Sequence, residues 1–72
     1  MNETDIHMIR AKYRIPDNFE LAHLVEGIEA EFHLTDSFGY IHQAIVVDFI
    51  KEKARLIQVG FAESEPWPIN CA

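Results

Sequence analysis

Hydrophobic and polar positions alternate over residues 8–15, the first regular pattern in the chain, with Met8 the one apolar residue on the polar face. One face of this segment carries Arg10, Lys12 and Arg14, and the other is apolar. The apolar face consists of Ile9, Ala11, Tyr13 and Ile15. A period of two predicts a β-strand, which we expect Pro16 to end because proline has no backbone amide to donate.

Between residues 18 and 33 the apolar positions recur after three and four residues, the spacing of one face of a helix. They are Leu21, Leu24, Val25, Ile28 and Phe32. Asp17 suits the N-cap of such a helix, and Glu20 stands where a capping-box partner belongs. A competing interpretation takes Gly27 as a break and residues 28–34 as a strand, and the pattern leaves both open.

A second helical stripe follows and consists of Ile41, Ala44, Ile45 and Phe49. Asp36 near its start and Lys51 near its end match the helix dipole, but the β-branched run 45–47 would also suit a strand. The next segment, residues 56–62, either finishes this helix or forms a short strand. The alternative fold is therefore a small α+β domain of order β-α-β-β-β, whose strands after the helix span 28–34, 40–50 and 56–62.

The composition describes one small foldable domain, with 72 residues, 49% of them hydrophobic, and a formal net charge of −6. Such a domain buries only about 60% of its unfolded surface, so we expect further stabilisation. Cys71 is the single cysteine and excludes an internal disulfide, which leaves association into a homodimer. The sequence has no run of about 18 apolar residues, which a membrane-spanning helix would need, and its acidic start is unlike a signal peptide. We expect a reducing, cytoplasmic setting.

Positive charge is confined to two clusters, residues 10–14 and residues 51–55. The net negative charge argues against nonspecific binding of nucleic acid by the whole surface, because phosphate contacts need lysine and arginine. A local basic ridge on an acidic body remains compatible with a polyanion.

A strand followed by two helices, with cations on one face of the strand, resembles the ribbon-helix-helix family of DNA-binding repressors. The segments that carry the likeness are 13–17, Tyr-Arg-Ile-Pro-Asp, and 40–45, Tyr-Ile-His-Gln-Ala-Ile. The likeness covers roughly residues 8–57 and consists of patterns of residue type. It implies a mainly α domain with one strand over residues 1–60. The prolines on either side of Trp67 predict an irregular tail, 61–72.

Two chains of that family pair their strands into an antiparallel ribbon that enters the major groove of DNA. The resemblance therefore implies a sequence-specific transcriptional repressor of the kind found among antitoxins and plasmid or phage regulators. It implies operator contacts by Arg10, Lys12, Arg14 and Ser37, and dimer contacts by Ile9, Ala11, Tyr13, Ile45 and Phe49. The chain departs from the family at the turn between the helices, which lacks the usual glycine and places Asp36 where a phosphate would bind.

Other classes of function have less support in the sequence. The four histidines lack the spacing of a zinc site, and no nucleophile or cofactor motif is present, so we expect no metal, no cofactor and no enzyme. Phe61 and Trp67 in the tail are candidates to bind a protein partner. The competing hypothesis is an acidic interaction protein that inhibits a nucleic-acid-binding host enzyme, the basic residues merely solvating an edge strand.

Overall fold

The computed structural model describes residues 3–58 and 64–67, and it consists of one helix followed by an antiparallel sheet. Helix α1 spans Glu3–Tyr13. The strands are β1 Glu20–Val25, β2 Glu29–Thr35, β3 Ile41–Asp48, β4 Lys53–Gln58 and β5 Ser64–Trp67. They pair in the order β1-β2-β3-β4-β5, so that β1 to β4 form consecutive hairpins.

The expected ribbon-helix-helix fold is wrong, because the described chain is an α+β domain and not mainly α. The predicted strand 8–15 lies largely in α1, and the predicted helix 18–33 is divided between β1, a turn and β2. The predicted second helix is occupied by β3. The alternative interpretation agrees with the structure over β2 and β3, but its first strand is a helix and its helix contains a strand. β5 lies within the tail, for which the sequence predicts no regular structure.

Helix α1 begins with acidic residues and ends with basic ones, as the helix dipole favours. Ile9 and Tyr13, four residues apart, pack against the sheet, and Tyr13 is almost fully buried. The helix ends at Arg14, which has a φ of +56°, and the Ile15 amide donates to the Arg10 carbonyl oxygen over 2.9 Å. This bond and the left-handed residue form a Schellman motif, in which glycine is the usual residue.

β1 contains a β-bulge at Ala22, because its register with β2 advances by two residues on β1 and by one on β2. The extra residue lets Leu21 and Leu24 both pack against the core although they are three residues apart. Val25 and Ile28, the next residues of the predicted helical stripe, are exposed, at the end of β1 and in the turn before β2. A bulge and a turn therefore reproduce the apolar spacing of a helix.

The core lies between α1 and one face of the sheet, the inner face. Its largest fully buried side chains are Tyr13, Phe32, Ile45 and Val47. The intervening residues of the strands form the outer face, to which β2, β3 and β4 contribute Glu29, Glu31, His33, Ala44, Val46, Asp48, Lys53, Arg55 and Ile57. Among the described residues, the only helix therefore covers the inner face.

Candidate functional site

Residues 36–40, Asp-Ser-Phe-Gly-Tyr, join β2 to β3 and form a segment that we call the hairpin tip. The chain turns through Gly39, whose φ of +88° is a conformation that glycine adopts without steric strain. The Gly39 amide donates to the Asp36 carbonyl oxygen, and the Asp36 amide donates to the Tyr40 carbonyl oxygen, both over 3.0 Å. Two backbone hydrogen bonds therefore close the turn.

The Asp36 carboxylate adds three further interactions within this segment. Its Oδ1 accepts hydrogen bonds from the Phe38 amide at 2.9 Å and from the Tyr40 amide at 3.0 Å, and its Oδ2 lies 2.9 Å from His42 Nε2. The hydrogen bond from His42, followed by those from the two amides, lowers the pKa of Asp36 below its usual value. Since an ionised carboxylate can only accept, His42 Nε2 carries the proton of that contact.

His42 reaches Asp36 from a second irregularity in the sheet. Leu34 pairs with Gln43 whereas Thr35 pairs with Ile41, so His42 is the extra residue of a β-bulge on β3. Bulges change the direction of a side chain at the end of a hairpin and are common beside functional sites. Here the bulge and the carboxylate together hold the base of the hairpin tip.

The hairpin tip presents large apolar side chains to solvent. Phe38 is 84% exposed and Tyr40 is 72% exposed, and Ile41 at the start of β3 is partly exposed. Single exposed apolar residues are ordinary, but neighbouring ones mark a surface that a partner covers. Because hydrogen bonds fix the backbone beneath them, the two rings are presented from a defined position.

The cations of the sheet lie far from the hairpin tip. Arg55 is paired with Val46, and Lys53 is paired with Asp48 at the opposite end of β3. At about 3.3 Å per residue, these positions are roughly 16 to 23 Å along the strand from Ile41. The charged residue of the tip itself is the acid Asp36.

The structure does not bring together the residues implied in operator binding. Arg10, Lys12 and Arg14 lie in or directly after α1 and not on a strand, and Ser37 lies in the hairpin tip and not at the start of a helix. The Arg10 guanidinium donates to the Pro16 carbonyl oxygen over 3.2 Å and lies 5.0 Å from the centre of the Phe32 ring. The Lys12 ammonium is ion-paired with Glu52 at 2.8 Å. Operator binding stays a prediction, but the strand over residues 8–15 on which it depended is largely helix α1.

The residues implied in dimerisation belong mainly to the chain's own core. Tyr13 and Ile45 are buried within it, whereas Ile9 and Phe49 pack against it. The rings of Tyr13 and Phe49 meet edge to face with their centroids 6.0 Å apart. Ala11 is exposed on α1.

The hairpin tip was not predicted, because Asp36 and Ser37 also suit the start of a helix. The signal was nevertheless in the sequence, since Asp, Ser and Gly within four residues are typical of a turn. The exposure of Phe38 and Tyr40 had no signal of its own, because aromatic residues are more often buried.

Phe61 and the side chain of Trp67, the candidate partner-binding residues of the tail, lie outside the described part of the chain. Within that part, no group of three or more His, Cys, Asp or Glu side chains is arranged to hold a metal ion. Its helix is neither long nor apolar enough to cross a membrane. Comparison with protein-family models, with curated proteins and with solved structures finds no match to this chain.

Proposed function

We propose that this chain is a protein-binding module whose hairpin tip inserts Phe38 and Tyr40 into an apolar pocket of another protein. The observation that carries the proposal is the exposure of both rings on a backbone that Asp36 holds in place. Buried aromatic residues dominate the binding energy of many protein interfaces. Anchors on an ordered backbone also lose less conformational entropy when they bind.

The charge of the hairpin tip indicates the chemistry of the partner. The Asp36 carboxylate is ionised and lies beside the two aromatic anchors, so a pocket bordered by lysine or arginine would complement it. Nucleic acid fits less well, because the backbone phosphates need cations and those of β4 lie at the other end of the sheet.

A surface of clustered lysine and arginine is a common feature of nucleic-acid-binding proteins. An acidic module bound there would exclude the nucleic acid and would therefore inhibit an enzyme of that class. This role needs no catalytic residue and no cofactor of the module itself. We propose a cytoplasmic location for it, since a single cysteine suits a reducing compartment.

The test compares the double variant Phe38→Ser/Tyr40→Ser with the wild type and with a matched control. Met8→Ser is the control, because Met8 is 65% exposed on α1, away from the hairpin tip. All three proteins serve as bait in affinity capture from cells that contain the partner. Each captured protein is then purified, and its affinity for the three chains is measured by calorimetry.

We expect the double variant to bind its partner at least about 100-fold more weakly, as loss of two interface anchors implies, and Met8→Ser to bind like the wild type. Raising the salt concentration should weaken the wild-type complex, because charge complementarity contributes to it. A partner held equally well by all three chains would contradict the proposal. So would binding to a single-stranded oligonucleotide that the double variant abolishes.

A further inference from the structure

The outer face of the sheet has its charges arranged in columns. β2 contributes the acids Glu29 and Glu31, and β4 contributes the cations Lys53 and Arg55. Between them, β3 presents Val46, which is half-buried, next to the buried Ala44 and the acid Asp48. The face is therefore acidic on one side of β3 and basic on the other.

Register places opposite charges in the same rows across this face. Glu31 pairs with Val46, which in turn pairs with Arg55. In the next row, Asp48 lies between Glu29 and Lys53. The ends of each row are two strand spacings apart, about 10 Å. The acids at these ends contact histidines within the chain, since Glu31 Oε1 lies 2.8 Å from His33 Nε2 and Glu29 Oε1 lies 3.6 Å from His23 Nε2.

We propose that two copies of this chain associate through their outer faces, related by a twofold axis that runs parallel to β3. Rotation about this axis places β4 of one copy opposite β2 of the other. It keeps each row of paired residues at the same level along the strands. Arg55 of one copy then faces Glu31 of the other, and Lys53 faces Glu29. Each contact occurs twice in the dimer, and Val46 packs against its own symmetry mate.

The charges select this axis over the other axis that would bring the two faces together. A twofold axis in the plane of the face but perpendicular to β3 would set β4 against β4 and β2 against β2. Like charges would then face each other in every row, which is unfavourable. Only the axis along β3 pairs the acidic column with the basic one.

The shape of the face is compatible with this packing. A hollow of about 490 Å³ is lined by Val46, together with Ile28 and Ile50 from the adjoining turns. Ile28 and Ile50 are 50% and 73% exposed, so they can contact the second sheet. Asp48 meets its own copy, which is a like-charge contact and opposes the association. Its Oδ1 accepts hydrogen bonds from two amides of the turn after β3, which hold the carboxylate at that turn.

The expected interface is small. Four strands at about 4.8 Å spacing and rows about 6.6 Å apart span roughly 15 by 15 to 20 Å on each copy. Such an area belongs to the weak end of protein interfaces. The dimer should therefore form at micromolar to millimolar concentration and dissociate when salt is added.

Sedimentation of the full chain in low salt, from about 10 μM to about 1 mM, provides the test. We expect the wild-type mass to rise toward that of two chains. Glu31→Arg and Arg55→Glu should each raise the dissociation constant at least about tenfold, because each places like charges in two contacts. An equimolar mixture of the two variants should form a heterodimer, since each of its two contacts again joins opposite charges.

The control is Arg14→Glu, which changes the net charge by the same amount as Arg55→Glu but lies at the end of α1. We expect this control to dimerise like the wild type. Heterodimer formation requires both variants to be folded, so misfolding could not imitate it. A wild type that stays monomeric, or variants that remain separate when mixed, would overturn the proposal. Tighter pairing of Arg55→Glu with the wild type than of either with itself would overturn the axis.

Discussion

Substitutions at Arg14 test how helix α1 ends. Arg14 has a φ of +56°, a left-handed conformation that costs an L-residue about 1 to 2 kcal/mol and costs glycine almost nothing. Against this, glycine loses about 0.4 to 1 kcal/mol more conformational entropy on folding than alanine does. The difference predicts that Arg14→Gly is more stable than Arg14→Ala by roughly 0.5 to 1 kcal/mol. Both variants lose the guanidinium, so its charge cancels in the comparison.

Glycine should have the opposite effect on stability at residue 11, three residues earlier in the same helix. Ala11 is an exposed helical residue, and Ala11→Gly should cost about 0.5 to 1 kcal/mol of stability. Glycine should therefore be favoured at residue 14 and disfavoured at residue 11. If residues 8–15 formed a strand, glycine would weaken the fold at both positions.

Urea unfolding followed by circular dichroism measures these differences. For a domain of this size, 1 kcal/mol also shifts the melting temperature by about 4 to 8 °C, which gives an independent reading. If Arg14→Gly were less stable than Arg14→Ala, Arg14 would not be left-handed in solution, and the Schellman ending of α1 would be refuted.

Three further predictions concern the core and the hairpin tip. Phe32→Ala should lower the free energy of unfolding by about 3 to 5 kcal/mol, because Phe32 is fully buried. A loss of that size is enough to abolish cooperative melting, and a near-normal melting curve would contradict this core. The pKa of Asp36 is lower in the folded protein than its unfolded value of 3.8. The stability that its ionised carboxylate contributes is therefore fully present above pH 3.8 and is lost as the pH falls through the folded pKa. The protection of the Phe38 amide against hydrogen exchange, measured relative to the intrinsic rate at each pH, should fall over that acidic range, and in Asp36→Ala, which removes the acceptor, it should be low at every pH. Gly39→Ala should lower the free energy of unfolding in denaturant by about 1 to 2 kcal/mol. The φ of Gly39 is +88° and nothing lies within 4 Å of the added carbon, so the loss comes from backbone strain and not from a clash. An unchanged stability would refute that conformation.

Part of the fold could be predicted from local pattern alone. Ala30, Phe32 and Leu34 alternate along β2, and the β-branched run in β3 has the composition of a strand. Both strands were present in the alternative interpretation. The choice between the two interpretations depended on Gly27, which takes a φ of +75° in the turn between β1 and β2 and so ends any helix there.

The helix and the first strand could not be predicted in the same way, since each has a pattern that fits the other structure. Residues spaced by two include residues spaced by four, so the alternation over 8–15 also contains the helical pair Ile9 and Tyr13. Leu21 and Leu24 have helical spacing only because a bulge separates them. Contacts with distant parts of the chain decide both cases, since α1 packs against the sheet and β1 pairs with β2. The local pattern of a sequence does not contain these contacts.

The candidate site was predictable only as a turn. The chemistry of Asp36 and Gly39 indicates a change of chain direction, but the sequence does not show that the rings of Phe38 and Tyr40 remain uncovered. The cations Arg10 and Lys12 stood out in the sequence because they are rare in an acidic chain. In the structure they bind a carbonyl oxygen and a carboxylate within the domain.

The bulge at Ala22 also affects how the domain behaves at high concentration. β1 is an outer strand of the sheet, and a straight outer strand is a template on which strands of other molecules can add to form aggregates. The bulge interrupts the regular spacing of donors and acceptors along that edge. Deleting Ala22 would leave Leu21, His23 and Leu24 in perfect alternation, with the same side chains pointing inward. The shortened chain would fold the same way and would be more prone to form fibrils.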